Sequence, residues 1–317
     1  MRIDIKLIWL IILTISLISC DINEETKNNS KILDQLIVFG DSNSDPGNIY
    51  NKTNHLIPVT PPYFQGRFCN GPTWAELVAS KFNLVGDANM NFAYGGACSD
   101  SLNAIALKIP PQAPEPYSTI RNAIMFTGLL EQVEELRASA IRPKLNHLVV
   151  IFIGGNDYSL ENEVNDSKVD HVISSIEKAI SRIKEMGWKR IVIFTLNDHA
   201  ATIELDSSAV EADKVYFELA KRNNARLKEA VVQWSNKLGI DIKIWDFAAF
   251  LKDVTDHAVS YGFTDLLNPI YEGSFFAFDG KLNDAKGKLF WDFTPHYSAA
   301  IHNVISDEFI KFLQNFN

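Results

Sequence analysis

Short apolar runs alternate along this chain with longer segments in which apolar residues recur at helical spacing. Residues 36–39 and 147–153 are almost wholly apolar and rich in β-branched side chains, as in strands buried on both faces of a parallel sheet. Two further predicted strands lie at residues 190–196 and 240–245. The predicted helices lie at residues 73–79, 127–140, 169–186, 209–238 and 298–313. Strands that alternate with helices predict βαβ units, and therefore an α/β fold in which a parallel sheet lies between two helical layers.

Three segments between these elements lack a regular pattern. Residues 60–72 contain three prolines and two glycines and predict a long ordered loop. Residues 104–117 are rich in proline and alanine, and we interpret them as a surface excursion of the kind that forms a lid. Residues 255–289 mix glycine, asparagine, proline and aromatic residues and are expected to be irregular. No linker rich in proline or glycine divides the pattern, so one domain at residues 34–317 is the simplest account.

The N-terminus has the pattern of an export signal. Two basic residues precede an apolar run at residues 7–19, which is too short to span a bilayer and is typical of a signal peptide. Residues 17–20, Leu-Ile-Ser-Cys, resemble the lipobox of bacterial lipoproteins, in which Cys20 carries the lipid. The alternative is an ordinary cleavable signal with an incidental cysteine. We predict a signal peptide at residues 1–19 and a lipidated tether at 20–33, which would anchor the protein to a membrane at the periplasmic face or the cell surface.

The net charge and the absence of metal-binding motifs argue against several kinds of partner. The formal net charge is −9, and it becomes −10 without residues 1–19, because two basic residues and one acidic residue leave. An acidic surface gives phosphate backbones little to bind, so we expect no nucleic-acid partner. Neither an HExxH motif nor a Cys-x-x-Cys pair is present, and no metal or cofactor is predicted.

In an oxidising compartment Cys69 and Cys98 have two interpretations, a disulfide between two loops near the site or two unpaired buried thiols.

The end of the first predicted strand carries the leading candidate for chemistry. Residues 36–39 run into Gly40-Asp41-Ser42 and a cluster of turn formers. Since ligands of open α/β sheets bind outside the carboxyl ends of the strands, Ser42 is placed to act as a nucleophile. The alternative is a serine that caps a helix or closes a turn. A second strand end leads into Gly155-Asn156-Asp157, and the pair Gly95-Gly96 would let backbone N–H groups approach a ligand closely.

Four separated blocks of the chain resemble those of the GDSL, or SGNH, hydrolases. They are Gly40-Asp41-Ser42, residues 91–97, Gly155-Asn156-Asp157, and Phe290-Trp291-Asp292 with His296. The loop at residues 61–72 also resembles the branch that contains plant GDSL lipases, bacterial lysophospholipases, thermolabile haemolysins and glycerophospholipid-cholesterol acyltransferases. The resemblance spans residues 36–303 and implies a three-layer, flavodoxin-like sandwich with about five parallel strands. An α/β-hydrolase fold is the runner-up, but it requires Gly-x-Ser-x-Gly in mid-chain.

The resemblance implies a role for each matching residue. Ser42 is the nucleophile, His296 is the base, and Asp292 is the partner that orients the base. The Ser42 N–H, the Gly96 N–H and the Asn156 side chain form the oxyanion hole. These residue types suit the chemistry, because a serine hydroxyl attacks a carbonyl only when an imidazole takes its proton. A carboxylate then fixes the tautomer of that imidazole.

The loop that carries the base departs from the family pattern. The family usually has two residues between the aspartate and the histidine, whereas three separate Asp292 from His296 here. If the longer loop moves Asp292 away, Asp279 or a backbone carbonyl would orient the ring. His199 and His302 compete with His296 as the base, and we expect a packing or hydrogen-bonding role for His302.

The sequence therefore predicts a serine esterase that hydrolyses carboxylic esters of lipids, such as lysophospholipids or phospholipids, through an acyl-serine intermediate. The expected partners are a lipid or other ester substrate and the membrane surface reached through the N-terminal lipid. Three alternatives stay open: a glycerophospholipid-sterol acyltransferase that passes the acyl group to an alcohol, a carbohydrate O-acetylesterase, and a binding lipoprotein without turnover.

Overall fold

The computed structural model of the chain describes residues 32–199, 207–277, 279–294 and 296–315. The predicted signal peptide, the lipidated Cys20 and most of the predicted tether lie outside these residues. In the described ranges, no helix is both long enough and apolar enough to cross a membrane.

A five-stranded parallel sheet forms the centre of the fold. Its strands are β1 (Gln35–Gly40), β2 (Asn89–Asn91), β3 (His147–Phe152), β4 (Arg190–Phe194) and β5 (Asp241–Trp245). Their order in the sheet is β2-β1-β3-β4-β5, and every neighbouring pair is parallel. This is the strand order of flavodoxin-like doubly wound folds. The predicted fold class and the predicted number of strands are confirmed.

The sheet brings the ends of β1 and β3 to the same level. The two strands pair along their whole lengths, from Gln35 opposite His147 to Gly40 opposite Phe152. All twelve residues are buried, which explains why both strands are apolar after their first residues, Gln35 and His147. Because β2 lies beyond β1 and β4 lies beyond β3, the strand order reverses between β1 and β3. Open α/β sheets bind ligands at such a reversal, so the residues just after these two strands are placed for function.

Helices cover both faces of the sheet. They are α1 (Asn48–Lys52), α2 (Trp74–Lys81), α3 (Ala104–Lys108), α4 (Tyr117–Ile124), α5 (Leu129–Ala138), α6 (Gly155–Tyr158), α7 (Asp166–Glu185), α8 (Ser207–Leu238), α9 (Phe247–Asp256) and α10 (Ala299–Gln314). Helix α2 packs against α10, and α7 packs between α5 and α8. The ring of Trp74 in α2 lies 4.8 Å from that of Phe194 in β4 and 5.4 Å from that of Phe309 in α10, so sheet and helices share one core.

Residues 104–117, interpreted from the sequence as a surface excursion, do lie largely at the surface, since residues 107–108, 110–112 and 114–117 are exposed, and the first five residues form α3. The Asn103 side chain starts this helix by accepting hydrogen bonds from the N–H groups of Ile105 and Ala106, at 2.9 and 3.3 Å. Two buried isoleucines of α4 pack with Ala106 in a small second core. Together with α4, the segment therefore forms a small subdomain of two short helices.

Two features in the C-terminal third of the chain also differ from what the sequence pattern predicts. The sequence pattern does not predict α9, although Asp246 caps it by accepting from the Ala249 N–H at 3.3 Å. Residues 255–289, expected to be irregular, contain a 3₁₀ turn at Ala258–Tyr261. They also contain a short antiparallel pair, β6 (Tyr271–Glu272) with β7 (Lys281–Leu282).

Cys69 and Cys98 do not form the disulfide that was one of the two expectations. Both are free and buried. The Cys69 thiol donates to the Gly71 carbonyl oxygen at 2.9 Å, which satisfies it without a partner sulfur. Burial raises the pKa of Cys69 to about 12 and raises the pKa of Cys98 well above the usual range of a thiol. The alternative expectation, two buried thiols, describes this fold.

Candidate active site

Ser42 lies in the turn that follows β1, and a side chain from a helix holds the end of that strand in place. The buried Gln132 side chain accepts from the Gly40 N–H at 3.0 Å and donates to the Gly40 carbonyl oxygen at 2.9 Å. A Cβ at Gly40 would lie 2.8 Å from the Phe152 carbonyl oxygen, so a glycine is required where β1 passes so close to β3. In the part of the chain that the structure describes, the Ser42 hydroxyl has no hydrogen-bond partner. It borders a cavity instead.

Gly96 borders the same cavity from the loop after β2. Its φ of +78° is a left-handed conformation, and a Cβ there would lie 2.6 Å from Asn103 Oδ1. Within the described ranges its N–H donates no hydrogen bond, so it stays available to a ligand. Two bonds hold this loop beside the Ser42 turn: the Asn91 side chain donates to the Ser44 carbonyl oxygen at 2.7 Å, and the Gly95 N–H donates to Asp45 at 2.8 Å.

Asn156 reaches the cavity from the first turn of α6, directly after β3. Its Nδ2 donates to the Ala97 carbonyl oxygen at 3.1 Å, which uses one of two amide hydrogens and leaves the other for a ligand. The next residue, Asp157, accepts from the Ser99 N–H and hydroxyl at 2.8 and 2.9 Å. Burial raises the pKa of Asp157 to about 6, although these two hydrogen bonds lower it. The contacts tie α6 to the loop that carries Gly96.

His296 and Asp292 are in direct contact despite the extra residue between them. His296 Nδ1 lies 2.8 Å from Asp292 Oδ2 and 3.0 Å from Oδ1. The loop closes because Thr294 donates its N–H and its hydroxyl to Asp292 Oδ1, at 2.9 and 2.7 Å. The hydroxyl of Tyr63 donates to Oδ2 at 2.6 Å from the other side. With Nδ1 bound to the carboxylate, Nε2 is the nitrogen of this ring that can exchange a proton.

The surroundings of Asp292 keep it ionised. Burial raises its pKa, but the charge of His296 and the hydrogen bonds from His296, Tyr63 and Thr294 outweigh burial, and the net pKa lies below the usual range of an aspartate. A permanent carboxylate at Nδ1 fixes the tautomer that a base requires.

The residues considered as alternatives to Asp292 and His296 contact other groups. Asp279 accepts from the Ser274 N–H at 3.1 Å, and His199 lies beside Asp198. His302 is buried, and its Nδ1 accepts from the Trp74 N–H at 3.3 Å. Burial and the nearby charge of His296 lower the pKa of His302 to about 3, so it stays neutral and bonds the start of α2.

Ser42, Gly96, Asn156 and His296 border one cavity of about 1030 Å³. Most of its remaining wall is apolar and comes from the α3–α4 subdomain, the first half of α8 and the region after β6. The apolar and aromatic residues of this wall include Ile105, Ile109, Pro110, Pro114, Tyr117, Phe217, Phe275 and Phe276.

One buried acid lies beside Ser42 in this cavity. Asp41 is 5% exposed, and its Oδ1 accepts from the Asn43 N–H at 3.0 Å. Burial raises the pKa of Asp41 to about 6, and the hydrogen bond and the charge of His296 lower it less than burial raises it.

Some residues of the site escaped the sequence analysis. Tyr63 and Thr294 both bind Asp292, and Gln132 fixes the end of β1. Tyr63 lies 229 residues before Asp292, and only the resemblance of its loop to a family block singles that loop out. In the described ranges, no group of three or more His, Cys, Asp or Glu side chains is placed to hold a metal ion.

The fold and the site have the arrangement of a serine hydrolase on a flavodoxin-like sheet. The family described as GDSL-like Lipase/Acylhydrolase matches residues 36–309, which is most of the chain. This protein belongs to that family.

Known proteins are similar to much of this chain. The phosphatidylcholine-sterol acyltransferase of Aeromonas hydrophila is 26% identical over 243 residues, which cover 76% of this chain and 66% of the relative. The thermolabile hemolysin of Vibrio parahaemolyticus is 25% identical over 300 residues, 89% of this chain and 64% of the relative. The chain thus spans slightly less than two thirds of either relative. A crystal structure of a lipolytic G-D-S-L family member from Veillonella parvula aligns with 15% identity and a TM-score of 0.42, covering 74% of this chain and 88% of that one.

Proposed function

We propose that this protein is a serine esterase that hydrolyses carboxylic esters of lipids through an acyl-Ser42 intermediate. The observation that carries the proposal is the cavity that Ser42, Gly96, Asn156 and His296 share. It combines a nucleophile, a base held by a buried carboxylate, and two N–H donors with a long apolar wall.

The proposed reaction has two halves. His296 takes the proton of the Ser42 hydroxyl as its oxygen adds to the ester carbonyl, and the alcohol leaves with that proton. Water then adds to the acyl-Ser42, His296 takes its proton, and the carboxylic acid departs while the serine recovers the proton. The N–H groups of Ser42, Gly96 and Asn156 bind the oxyanion in both halves, and one such donor is worth about 3–4 kcal/mol in comparable enzymes.

The size and the apolar lining of the cavity support a lipid acyl chain as the group that it binds. A cavity of about 1030 Å³ reaches the upper end of the range for pockets that bind drug-sized molecules. An acetyl group would leave most of the apolar wall in contact with water, whereas a long acyl chain would cover it. Burial of apolar surface favours the long chain by about 25 cal/mol per Å².

Transfer of the acyl group to an alcohol is the second candidate. It uses the same acyl-Ser42 and differs only in the nucleophile of the second half-reaction. The similarity to a protein named phosphatidylcholine-sterol acyltransferase favours it, and the cavity has room for an acceptor larger than water.

We further propose that the enzyme works while tethered to a membrane through a lipid on Cys20. The support comes from the apolar run at residues 7–19 and the lipobox-like residues 17–20. Metabolic labelling with a clickable fatty acid should mark the full-length protein, and a Cys20→Ser variant should be unlabelled and leave the membrane fraction. Equal labelling of both would contradict the tether.

The catalytic proposal is tested with soluble protein that lacks residues 1–19 and carries Cys20→Ser. Substrates run from acetyl to palmitoyl esters and include lysophosphatidylcholine, with and without a sterol acceptor. Long-chain esters should be preferred, and Ser42→Ala and His296→Ala should each lose at least about a thousandfold in kcat. A steryl ester product would identify the transferase, and a preference for acetyl esters would identify an acetylesterase.

The chain offers a matched control for the base. His257 and Asp253 form an exposed pair with the same four-residue spacing as Asp292 and His296, with Nδ1 2.9 Å from Oδ1. His257→Ala should therefore retain full turnover. Folded protein that hydrolyses none of the esters would refute the esterase and leave a binding lipoprotein.

A further inference from the structure

The ring of Tyr63 is fixed in a buried aromatic cluster behind the active site. Tyr63 is 1% exposed, and its ring meets Tyr271, Trp291 and Phe68 edge-on with centroids 5.6, 5.4 and 6.3 Å away. Edge-on packing on three sides leaves the ring little rotational freedom. The position of its hydroxyl is therefore set by the core rather than by solvent.

That hydroxyl donates to Asp292 Oδ2 at 2.6 Å. Oδ2 is also the carboxylate oxygen nearer to His296 Nδ1, at 2.8 Å. Thr294 donates to the other oxygen, Oδ1, which lies 3.0 Å from the same Nδ1, and the Thr294 hydroxyl also lies 3.0 Å from Nδ1. In the described ranges, Tyr63 is thus the one group besides the imidazole that binds Oδ2, the nearer of the two oxygens to the base.

Tyr63 acts as a constant donor. Burial and the charge of Asp292 raise its pKa far above the usual range of a phenol, so the hydroxyl keeps its proton at every working pH. A hydrogen bond from a fixed neutral donor to a buried carboxylate is among the stronger ones in proteins, and it restricts rotation of the carboxylate plane.

We propose that Tyr63 is a positioning residue that holds Asp292 Oδ2 against His296 in a loop that is one residue longer than usual for the family. Without this bond, Thr294 still holds Oδ1 near the imidazole, but Oδ2 can move away, and the shorter of the two contacts with Nδ1 is lost. The inference rests on the proposed ester hydrolysis, because its effect is exerted through the His296 base.

The test begins with Tyr63→Phe, which keeps the ring packing and removes only the hydroxyl. We expect kcat on the preferred ester to fall about tenfold with KM changed less than twofold, since the lost bond orients the base and touches no substrate. The rate of Ser42 phosphonylation by an alkyl fluorophosphonate should fall by the same factor.

Tyr271→Phe is the matched control. Tyr271 belongs to the same cluster, but its hydroxyl donates to the Ala277 carbonyl oxygen at 3.1 Å and reaches no member of the site. This variant should keep the parental kcat and the parental phosphonylation rate. A tenfold loss in both tyrosine variants would mean that cluster packing, and not the bond to Asp292, is responsible, and it would overturn the proposal.

A double-mutant cycle separates positioning from general damage. In an Asp292→Ala background, Tyr63→Phe should change the phosphonylation rate less than twofold, because the partner of the hydroxyl is gone. A further tenfold loss in that background, or an unchanged kcat in Tyr63→Phe alone, would overturn the inference. A parent that hydrolyses no ester and resists the probe would instead refute the proposed function itself.

Discussion

Asp45 Oδ2 accepts a hydrogen bond from the Gly95 N–H at 2.8 Å, which joins the turn that carries Ser42 to the loop that carries Gly96. Asp45 is fully buried, and its other oxygen accepts from the N–H groups of Gly47 and Asn48 at 2.8 and 2.5 Å. Together with the bond from Asn91 to the Ser44 carbonyl oxygen, this carboxylate holds Ser42 beside Gly96.

Asp45→Ala should damage both stability and activity. Buried N–H groups left without an acceptor each destabilise the fold, so we expect the free energy of unfolding to fall by about 3 kcal/mol and kcat to fall more than tenfold. Asp45→Asn keeps one acceptor oxygen and should lie between parent and alanine variant. Urea unfolding and ester turnover measure the two effects, and an alanine variant with parental stability would contradict this role.

Asp41 should make stability depend on pH. Burial raises its pKa to about 6, so between about pH 4 and pH 6 the folded protein keeps a proton that the unfolded chain has lost. The free energy of unfolding therefore falls as the pH rises through this range. Asp41→Asn removes the charge and keeps an acceptor for the Asn43 N–H.

The Asp41→Asn variant should equal the parent in stability near about pH 4 and exceed it by roughly 3 kcal/mol near about pH 8. Chemical denaturation at the two pH values gives the comparison. A gain of equal size at both would show that the charge of Asp41 is not its source.

A larger side chain at Ile105 should shift the acyl-chain preference. Ile105 borders the cavity, and its side chain lies within 3 Å of a Cβ built at Gly96. In Ile105→Trp we expect kcat/KM for palmitoyl esters to fall at least about tenfold relative to acetyl esters. Leu107, on the same helix and 45% exposed, supplies the control Leu107→Trp, which should keep the parental preference. Parallel losses on all esters in Ile105→Trp would argue against an acyl chain along this wall.

The two remaining cysteines should behave as inaccessible thiols. Cys69 and Cys98 are free and buried, and burial raises the pKa of both. In Cys20→Ser protein prepared without reductant, an aromatic disulfide reagent should detect no thiol in the native state and two per chain after denaturation. No thiol after denaturation would reveal a disulfide.

The sheet and the catalytic edge were predictable because their causes are local. Apolar runs such as residues 147–153 give buried strands, and the alternation with helices gives a parallel sheet. The family blocks added the candidates Ser42, Gly96, Asn156 and His296, and the structure brings all four to one cavity. Helix α9 was missed although Asp246 is a normal cap, because its apolar positions merge with those of β5 in the sequence.

Contacts between distant segments were not predictable from the chain alone. The extra residue before His296 suggested that Asp292 could be displaced, whereas two bonds from Thr294 fold the longer loop back onto the carboxylate. The bond from Tyr63 depends on an aromatic cluster assembled from three separate segments. The Thr294 bonds span only two residues, but sequence spacing alone does not show that the loop closes through them. The Tyr63 bond joins residues 229 apart and arises from packing in three dimensions.

The central claim is that Ser42 is a nucleophile activated by His296. Its most direct test is mass spectrometry of the intact protein after treatment with an alkyl fluorophosphonate, followed by peptide mapping. The account predicts one adduct per chain, on Ser42, with labelling slowed at least about a thousandfold in His296→Ala and unchanged in His257→Ala. Folded protein that forms no adduct, or that is labelled at Ser42 equally fast without His296, would contradict it.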